Sequence, residues 1–380
     1  MDHALSCALV AGEASGDLLA GLLLQGLRQR WSEMRSFGIG GPRMLEQGFQ
    51  AWWPSDALAV RGYVEVLRHY RRIVGIRRQL RERLLRQPPH VFIGVDAPDF
   101  NLDLERDLKA ASIPTVHFVC PSIWAWRADR VAKLRASTDH VLCIFPFEPA
   151  LLAQHGIAAS YVGHPLASVI PAQPDAVAAR QRLGLDLHRP VVALLPGSRA
   201  SEIESLCARF VRAAQRLRQQ APDLQFVLPA MPAWQARIEA IVRAEGGLAD
   251  LYVLQGQSHT ALEACDVTLI ASGTATLEAA LFKRPMVIAY HMHWLSWQIM
   301  RRQKLQPWVG LPNILCQDFV VPELLQDQAT PEAMADAVLA WLRDPARVHS
   351  VQQRFADLHD NLRRDTPRLA AHAIEEVLAR

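Results

Sequence analysis

The chain has 380 residues, half of them hydrophobic and 21% charged, which is enough for two domains with separate cores. Its formal charge of +3 is too small an excess to mark a nucleic-acid-binding protein. The six cysteines (Cys7, Cys120, Cys143, Cys207, Cys265 and Cys316) contain no C-x-x-C pair, which argues against a zinc or disulfide framework and for a reducing compartment.

Residues 4–24 are apolar but lack a basic leader, and Glu13 and Asp17 interrupt them, so they do not read as a signal peptide. No run approaches the ~18 apolar residues of a spanning helix. The expected location is therefore the cytoplasm, with any membrane contact at the surface. Continuous apolar runs at 6–11, 91–95, 115–119, 140–145, 191–195, 225–228, 251–254, 267–271 and 285–290 read as strands covered on both faces. Helical patterns such as 18–31 and 204–219 alternate with them, so the fold class is α/β with parallel sheets. The pattern occurs twice. The expected division is a first domain at 1–168, a proline-bearing linker at 169–189, a second domain at 190–345 and a helical tail at 346–380. By analogy with similar folds, the tail would pack on the first domain. Two doubly wound domains facing each other would form a cleft at the carboxyl ends of their strands, so residues just after strands carry most information.

In chain order, the first such loop runs through Gly12, Glu13, Ala14, Ser15, Gly16 and Asp17. Its glycines would let backbone approach a ligand at a helix N-terminus, and Glu13, Ser15, Gly16 and Asp17 are candidates for an acceptor-side loop. A plain turn capped by Ser15 or Asp17 explains it equally well. The glycines of 37–42 read as another turn, and neither loop matches G-x-G-x-x-G. Next comes a basic stretch, 60–86, in which arginines such as Arg68, Arg71 and Arg72 interleave with Val64, Val66 and Leu67. Such a segment can lie in the headgroup layer of an anionic membrane or be an ordinary surface helix. At the end of the 91–95 strand stands Asp96, followed by Asp99. A carboxylate there suits a general base, a role worth roughly 10²–10⁴-fold in rate, with Asp99 as a cap or helper; capping by either is the simpler alternative.

In the second half, Gly197, Ser198 and Arg199 follow a strand. Gly197 frees the backbone, Ser198 offers a hydroxyl and Arg199 a planar fork for phosphate. Ser201 and Glu204 have capping-box spacing and predict that a helix begins there. Ser272, Gly273, Thr274, Ala275 and Thr276 form a second small-residue turn into a helix, with Glu278 about one turn inside to accept from ribose hydroxyls. Two such turns in one domain predict a nucleoside-diphosphate site. The stretch 294–304 combines Trp294 and Trp297 with three cations, a second candidate membrane contact.

The segments VAGEASGDLLA, FGIGGPRM, GYVEVL, GVDAPDFN, PSIWAW, FPFE, YVGHPL, LLPGSR, ASGTATLEAAL and LPNILCQDFVVPELLQ, spread from residue 10 to about residue 326, resemble those of the lipid-A-disaccharide synthases, a GT-B glycosyltransferase family. The resemblance implies condensation of UDP-2,3-diacylglucosamine with the 6-hydroxyl of 2,3-diacylglucosamine 1-phosphate, giving a β-1′,6-linked disaccharide 1-phosphate and UDP with inversion. It implies catalytic parts for Asp96, Arg199 and Asn313, and a nucleotide role for Glu278. It implies no metal or cofactor, no nucleic-acid partner, and a peripheral place on the cytoplasmic face of the inner membrane. Two positions depart from the family pattern: Arg61 stands where an apolar residue is usual, and Ala167-Ser168 where an aspartate is usual. A homodimer through exchange of the C-terminal helix is compatible with the sequence but not indicated by it. A UDP-N-acetylglucosamine 2-epimerase, another lipid glycosyltransferase and a non-catalytic UDP-sugar binder remain as alternatives.

Overall fold

The computed structural model describes residues 5–12, 14–58, 66–124, 130–292, 294, 297–298 and 305–380, apart from the side chains of 14 and 66–70. It divides into two compact units, one of 1–165 with 362–380 and one of 166–361. Each is built on an all-parallel sheet, and the α/β expectation holds.

Among the described residues the first unit has seven strands: β1 (Ser6–Ala11), β2 (Arg35–Gly40), β3 (Gln50–Pro54), β4 (Val91–Val95), β5 (Thr115–Phe118), β6 (His140–Cys143) and β7 (Ala159–Tyr161), in the order β3-β2-β1-β4-β5-β6-β7. β1 and β4 are buried along their whole length, which is why they read as unbroken apolar runs. Their crossovers begin with α1 (Ala14–Arg30), α2 (Pro42–Glu46), α3 (Val66–Arg86) and α4 (Pro98–Lys109). The glycines at 37–41, expected to be a turn, are instead strand β2 running into its end. Gly38 explains the misreading: it has φ +139°, sits where the β2–β3 register shifts, and a Cβ there would lie 2.1 Å from the Leu9 carbonyl oxygen.

Among the described residues the second unit has six strands: β8 (Val191–Leu195), β9 (Gln225–Ala230), β10 (Leu251–Gln255), β11 (Val267–Ala271), β12 (Met286–Tyr290) and β13 (Glu323–Leu325), in the order β10-β9-β8-β11-β12-β13. The helix Ala176–Leu183, inside the expected linker, is docked within this unit: Arg180 reaches Asp266 at 2.7 Å and donates to the Ala264 carbonyl. The expected tail is shared out. Helix Pro345–Leu362 belongs to the second unit up to Asn361, and helix Thr366–Leu378 packs on α1 in the first, where Gly26 is met closely by the Pro367 backbone.

From Ile76 onward, the inner face of α3 packs into the core of the first unit. Ile76, Leu80 and Leu84 are buried in one cluster with Val10, Phe92, Leu104 and Leu108. Arg77 and Arg81 pair with Asp103 and Asp107 of α4 at 2.7 and 3.0 Å, and the Arg83 guanidinium lies 3.6 Å over the Trp52 ring. Here the apolar face enters the core and several arginines have protein partners, as in an ordinary surface helix. Arg71 and Arg72 are exposed; Val66, Leu67 and Arg68 lie in or at the start of α3, with side chains outside the described residues, as is Val64 altogether. Among the described residues, no helix is long and apolar enough to cross a membrane.

Candidate functional site

In each sheet the strand order reverses direction beside the first strand, at β1/β4 in one unit and at β8/β11 in the other. Ligands of doubly wound sheets bind at the carboxyl ends of strands at such a switch point. The loops after these four strands are the four that the sequence singled out.

In the first unit, β4 ends in Asp96 and Ala97, both left-handed with φ 51° and 43°. Non-glycine residues adopt this conformation at a cost of about 1–2 kcal/mol each unless neighbours hold it. The neighbours are visible. The Asp96 N–H donates to the Phe118 carbonyl at 2.8 Å, and fully buried Asn101 donates from Nδ2 to the Asp96 carbonyl at 2.8 Å. One turn on, Glu105 and His117 meet at 2.7 Å with no exposure, and burial pushes the Glu105 carboxyl above its usual range while His117 opposes the shift. Gly94 makes room for this pair: a Cβ there would be 2.1 Å from Glu105 Oε1 and 2.8 Å from Asn101 Cβ. The Asp96 side chain is half-buried at the strand end. Neither aspartate caps α4, whose N-cap is Ala97 with no side-chain bond. Asp99 is exposed and pairs with Arg130 at 2.7 Å.

The loop after β1 lies alongside: a Cβ on Gly12 would be 3.6 Å from Ala97 Cβ, and one on Gly16 would be 3.6 Å from the Val95 carbonyl oxygen. Ser15 is exposed. Asp17 is committed elsewhere, which corrects its assignment to a ligand loop. Its buried carboxylate accepts from the N–H groups of Gly41, Arg43 and Met44 at 2.8, 2.9 and 3.2 Å, so it caps α2 and ties two crossovers together. Glu13 lies outside the described residues.

In the second unit a pocket of about 390 Å³ is lined by Gly197, Ser198, Arg199, the turn from Ser272 to Ala275, and Glu278. One cavity thus gathers both candidate phosphate turns and the candidate ribose carboxylate. Thr276 is not among the lining residues; its hydroxyl donates to the Gly273 carbonyl at 2.8 Å and it is fully buried, so it shapes the turn. The helix Thr274–Leu281 has Gly273 (φ 152°) as N-cap with no side-chain bond. Glu278 lies 3.6 Å from His259, whose imidazole is raised above its ordinary pKa chiefly by the Glu278 carboxylate facing it.

The helix after β8 starts differently from the expectation. It spans Ala200–Gln220 with Arg199 as N-cap, and the residue returning to its end is Glu202, not Glu204. Glu202 accepts from the N–H groups of Ser198 at 2.9 Å and Arg199 at 3.2 Å, and from the Arg199 guanidinium at 3.2 Å. Glu204 instead receives both prongs of Arg237 at 2.7 Å. The box therefore starts two residues earlier than Ser201, because Glu202 is the carboxylate three residues beyond the N-cap.

Asn313 is fully buried in helix Leu311–Cys316, with both ends of its amide engaged. Nδ2 donates to the Val321 carbonyl and to Glu323 at 2.9 Å each, while Oδ1 accepts from the Val321 N–H at 3.0 Å. Glu323 also accepts from the N–H groups of Val309 and Gly310. This geometry gives Asn313 a structural part in organising the 309–323 segment in place of the catalytic contact expected of it.

Two further motifs meet in the first unit. Trp124 of PSIWAW donates from Nε1 to Glu148 of FPFE at 2.9 Å, and Glu148 also accepts from the Phe145 N–H at 3.0 Å. Burial pushes the Glu148 carboxyl up to about 7, against the Trp124 and backbone hydrogen bonds. Asn101, Glu105, His117, Glu202, Glu323 and His259 were not singled out in the sequence. Only Glu202 left a local signal, a glutamate three residues after Arg199.

The chain matches the family model described as lipid-A-disaccharide synthetase over residues 7–377. Among curated proteins it is 68% identical over 379 residues to the lipid-A-disaccharide synthase of Albidiferax ferrireducens, covering 98% of this chain and 97% of that one. It is 60% identical over 384 residues to the synthase of Verminephrobacter eiseniae, covering 100% and 99%. Among solved structures it is similar to the UDP-GlcNAc 2-epimerase from Neisseria meningitidis bound to UDP-GlcNAc, with TM-score 0.65, 12% identity and coverage of 98% and 99%. That last likeness is one of fold alone.

Proposed function

The chain belongs to the lipid-A-disaccharide synthetase family, glycosyltransferases of lipid A biosynthesis, and on that premise we propose its substrates and the part each residue plays. The donor is UDP-2,3-diacylglucosamine and the acceptor is 2,3-diacylglucosamine 1-phosphate. The observation that carries the reading is that one pocket in the second unit brings together Arg199, the turns at Gly197–Ser198 and Ser272–Ala275, and Glu278. A nucleoside diphosphate needs these groups: N–H donors and a guanidinium for the phosphates, and a carboxylate for the ribose hydroxyls.

In the reaction, the acceptor's 6-hydroxyl oxygen attacks the anomeric carbon of the donor. The bond from that carbon to the phosphate oxygen breaks, and UDP departs with the bonding electrons. Asp96 takes the hydroxyl proton as the new bond forms. A single displacement turns the donor's α-linkage into β. Negative charge developing on the leaving diphosphate is met by Arg199 and the N–H groups of the two turns, already oriented before the reaction. Asn101 acts on this chemistry only through the backbone of Asp96.

Docking on the inner-leaflet surface would rest, among the described candidates, on exposed Arg71, Arg72 and Trp294, with half-buried Trp297 beside the last. Loss of vesicle co-sedimentation in Trp294→Ala would support it, and unchanged binding would remove Trp294 from it.

Asp96→Asn tests the mechanism. The amide keeps the shape but cannot accept the proton, so turnover should fall at least ~10²-fold while UDP affinity is retained. Wild-type turnover in this variant would remove Asp96 as the base.

A further inference from the structure

The turn after β8 already holds an anion, and it belongs to the chain. One oxygen of Glu202 takes the N–H groups of Ser198 and Arg199, and the other takes the Arg199 guanidinium. These are donors that the proposed function assigns to the sugar nucleotide's phosphates. The carboxylate also fills the space beside Gly197, where a Cβ would lie 2.5 Å from Glu202 Oε2 and where φ is +120°. The side chain is only 14% exposed although it lines the pocket, so it is seated in the turn and not merely near it. The other turn of the same pocket, at Gly273, carries no side-chain cap.

A carboxylate and a phosphate cannot both hold the same two N–H groups, and two anions a few ångströms apart repel. We infer that Glu202 is the resident anion of the donor site: it keeps the Gly197–Arg199 turn and the Arg199 fork in a binding-ready shape, gives them up to the diphosphate when the donor enters, and returns as UDP leaves. The inference rests on the donor site proposed above. Its consequence has a definite sign. A site that is self-occupied most of the time binds its ligand more weakly, in proportion to the fraction of time it stands open. A glutamate that merely starts the helix would have the opposite consequence, because removing it would loosen the turn and weaken binding.

Glu202→Gln keeps the side chain's size and one hydrogen-bond acceptor but removes the charge. Titrated calorimetrically with UDP, this variant should bind about threefold to thirtyfold more tightly than the wild type. Equal or weaker binding by a folded variant overturns the inference. A second measurement does not depend on the variant: a structure of the wild-type protein with UDP. Glu202 should there be off the Ser198 and Arg199 amides, with phosphate oxygens in its place. A carboxylate still seated on both amides beside bound UDP overturns the inference and leaves the donor site standing. Failure of the wild type to take up UDP at all overturns the donor site itself, and the inference with it.

Discussion

Replacing Asn101 with alanine removes a buried side chain, on the inner side of α4, that holds the Asp96 backbone. Its Nδ2 bond to the Asp96 carbonyl is 2.8 Å long, a part-buried bond worth about 1 kcal/mol net. Asp96 and Ala97 are both left-handed, at roughly 1–2 kcal/mol each. The bond is thus comparable to the strain it helps offset, and without it the loop can relax towards ordinary geometry and carry the carboxylate with it. A displacement of about 1 Å in a catalytic group costs on the order of 10²-fold. The expected result is a kcat lower by about 10–10²-fold, with the UDP dissociation constant unchanged because the nucleotide pocket is built from other residues. Both quantities are accessible from steady-state UDP release and calorimetry on one preparation. A kcat within twofold of wild type would refute the tether, and a parallel loss of UDP affinity would show general damage instead of misplacement of the base.

Glu148 predicts a pH dependence of stability. Its folded pKa of about 7 lies above the usual 4.5, so the folded state holds the proton more tightly. The associated stability, on the order of 3 kcal/mol, is full below pH 4.5 and is lost as pH rises through about 7; urea midpoints of Glu148→Gln should be flatter over that window. His259 titrates in the same sense, its pKa raised chiefly by the Glu278 carboxylate facing it. The stability it contributes is present below about pH 6.5 and fades as pH rises through the raised folded value, so melting temperatures of His259→Ala and wild type should converge at alkaline pH. Gly94→Ala would put a Cβ 2.1 Å from Glu105 Oε1 and should destabilise by at least about 1–3 kcal/mol in urea titrations; an unaffected midpoint would contradict the close packing under β4.

The four site loops were legible because each places small, hydroxyl or charged residues directly after a buried apolar run, and that local pattern survives in one dimension. What misled were residues whose partners are distant. Asp17 looks like a loop carboxylate until its bonds to Gly41, Arg43 and Met44 are seen, and Asn313 resembles a site amide until Val321 and Glu323 close around it. β2 was hidden by its glycines, which a turn and a close strand contact both require. β7 and β13 have three residues each, too few for a periodic signal. Arg77 and Arg81 looked free to face a surface because the sequence does not contain the positions of Asp103 and Asp107 on the neighbouring helix. Asn101, Glu105 and His117 read as ordinary members of a helix and a strand. Only folding brings them under the turn that carries Asp96.

The most direct test is UDP release by the purified protein given UDP-2,3-diacylglucosamine, with 2,3-diacylglucosamine 1-phosphate added or withheld. The account predicts release only when both are present, together with a β-1′,6-linked disaccharide 1-phosphate. Release without the acceptor, or tight UDP binding with no release under either condition, would contradict it.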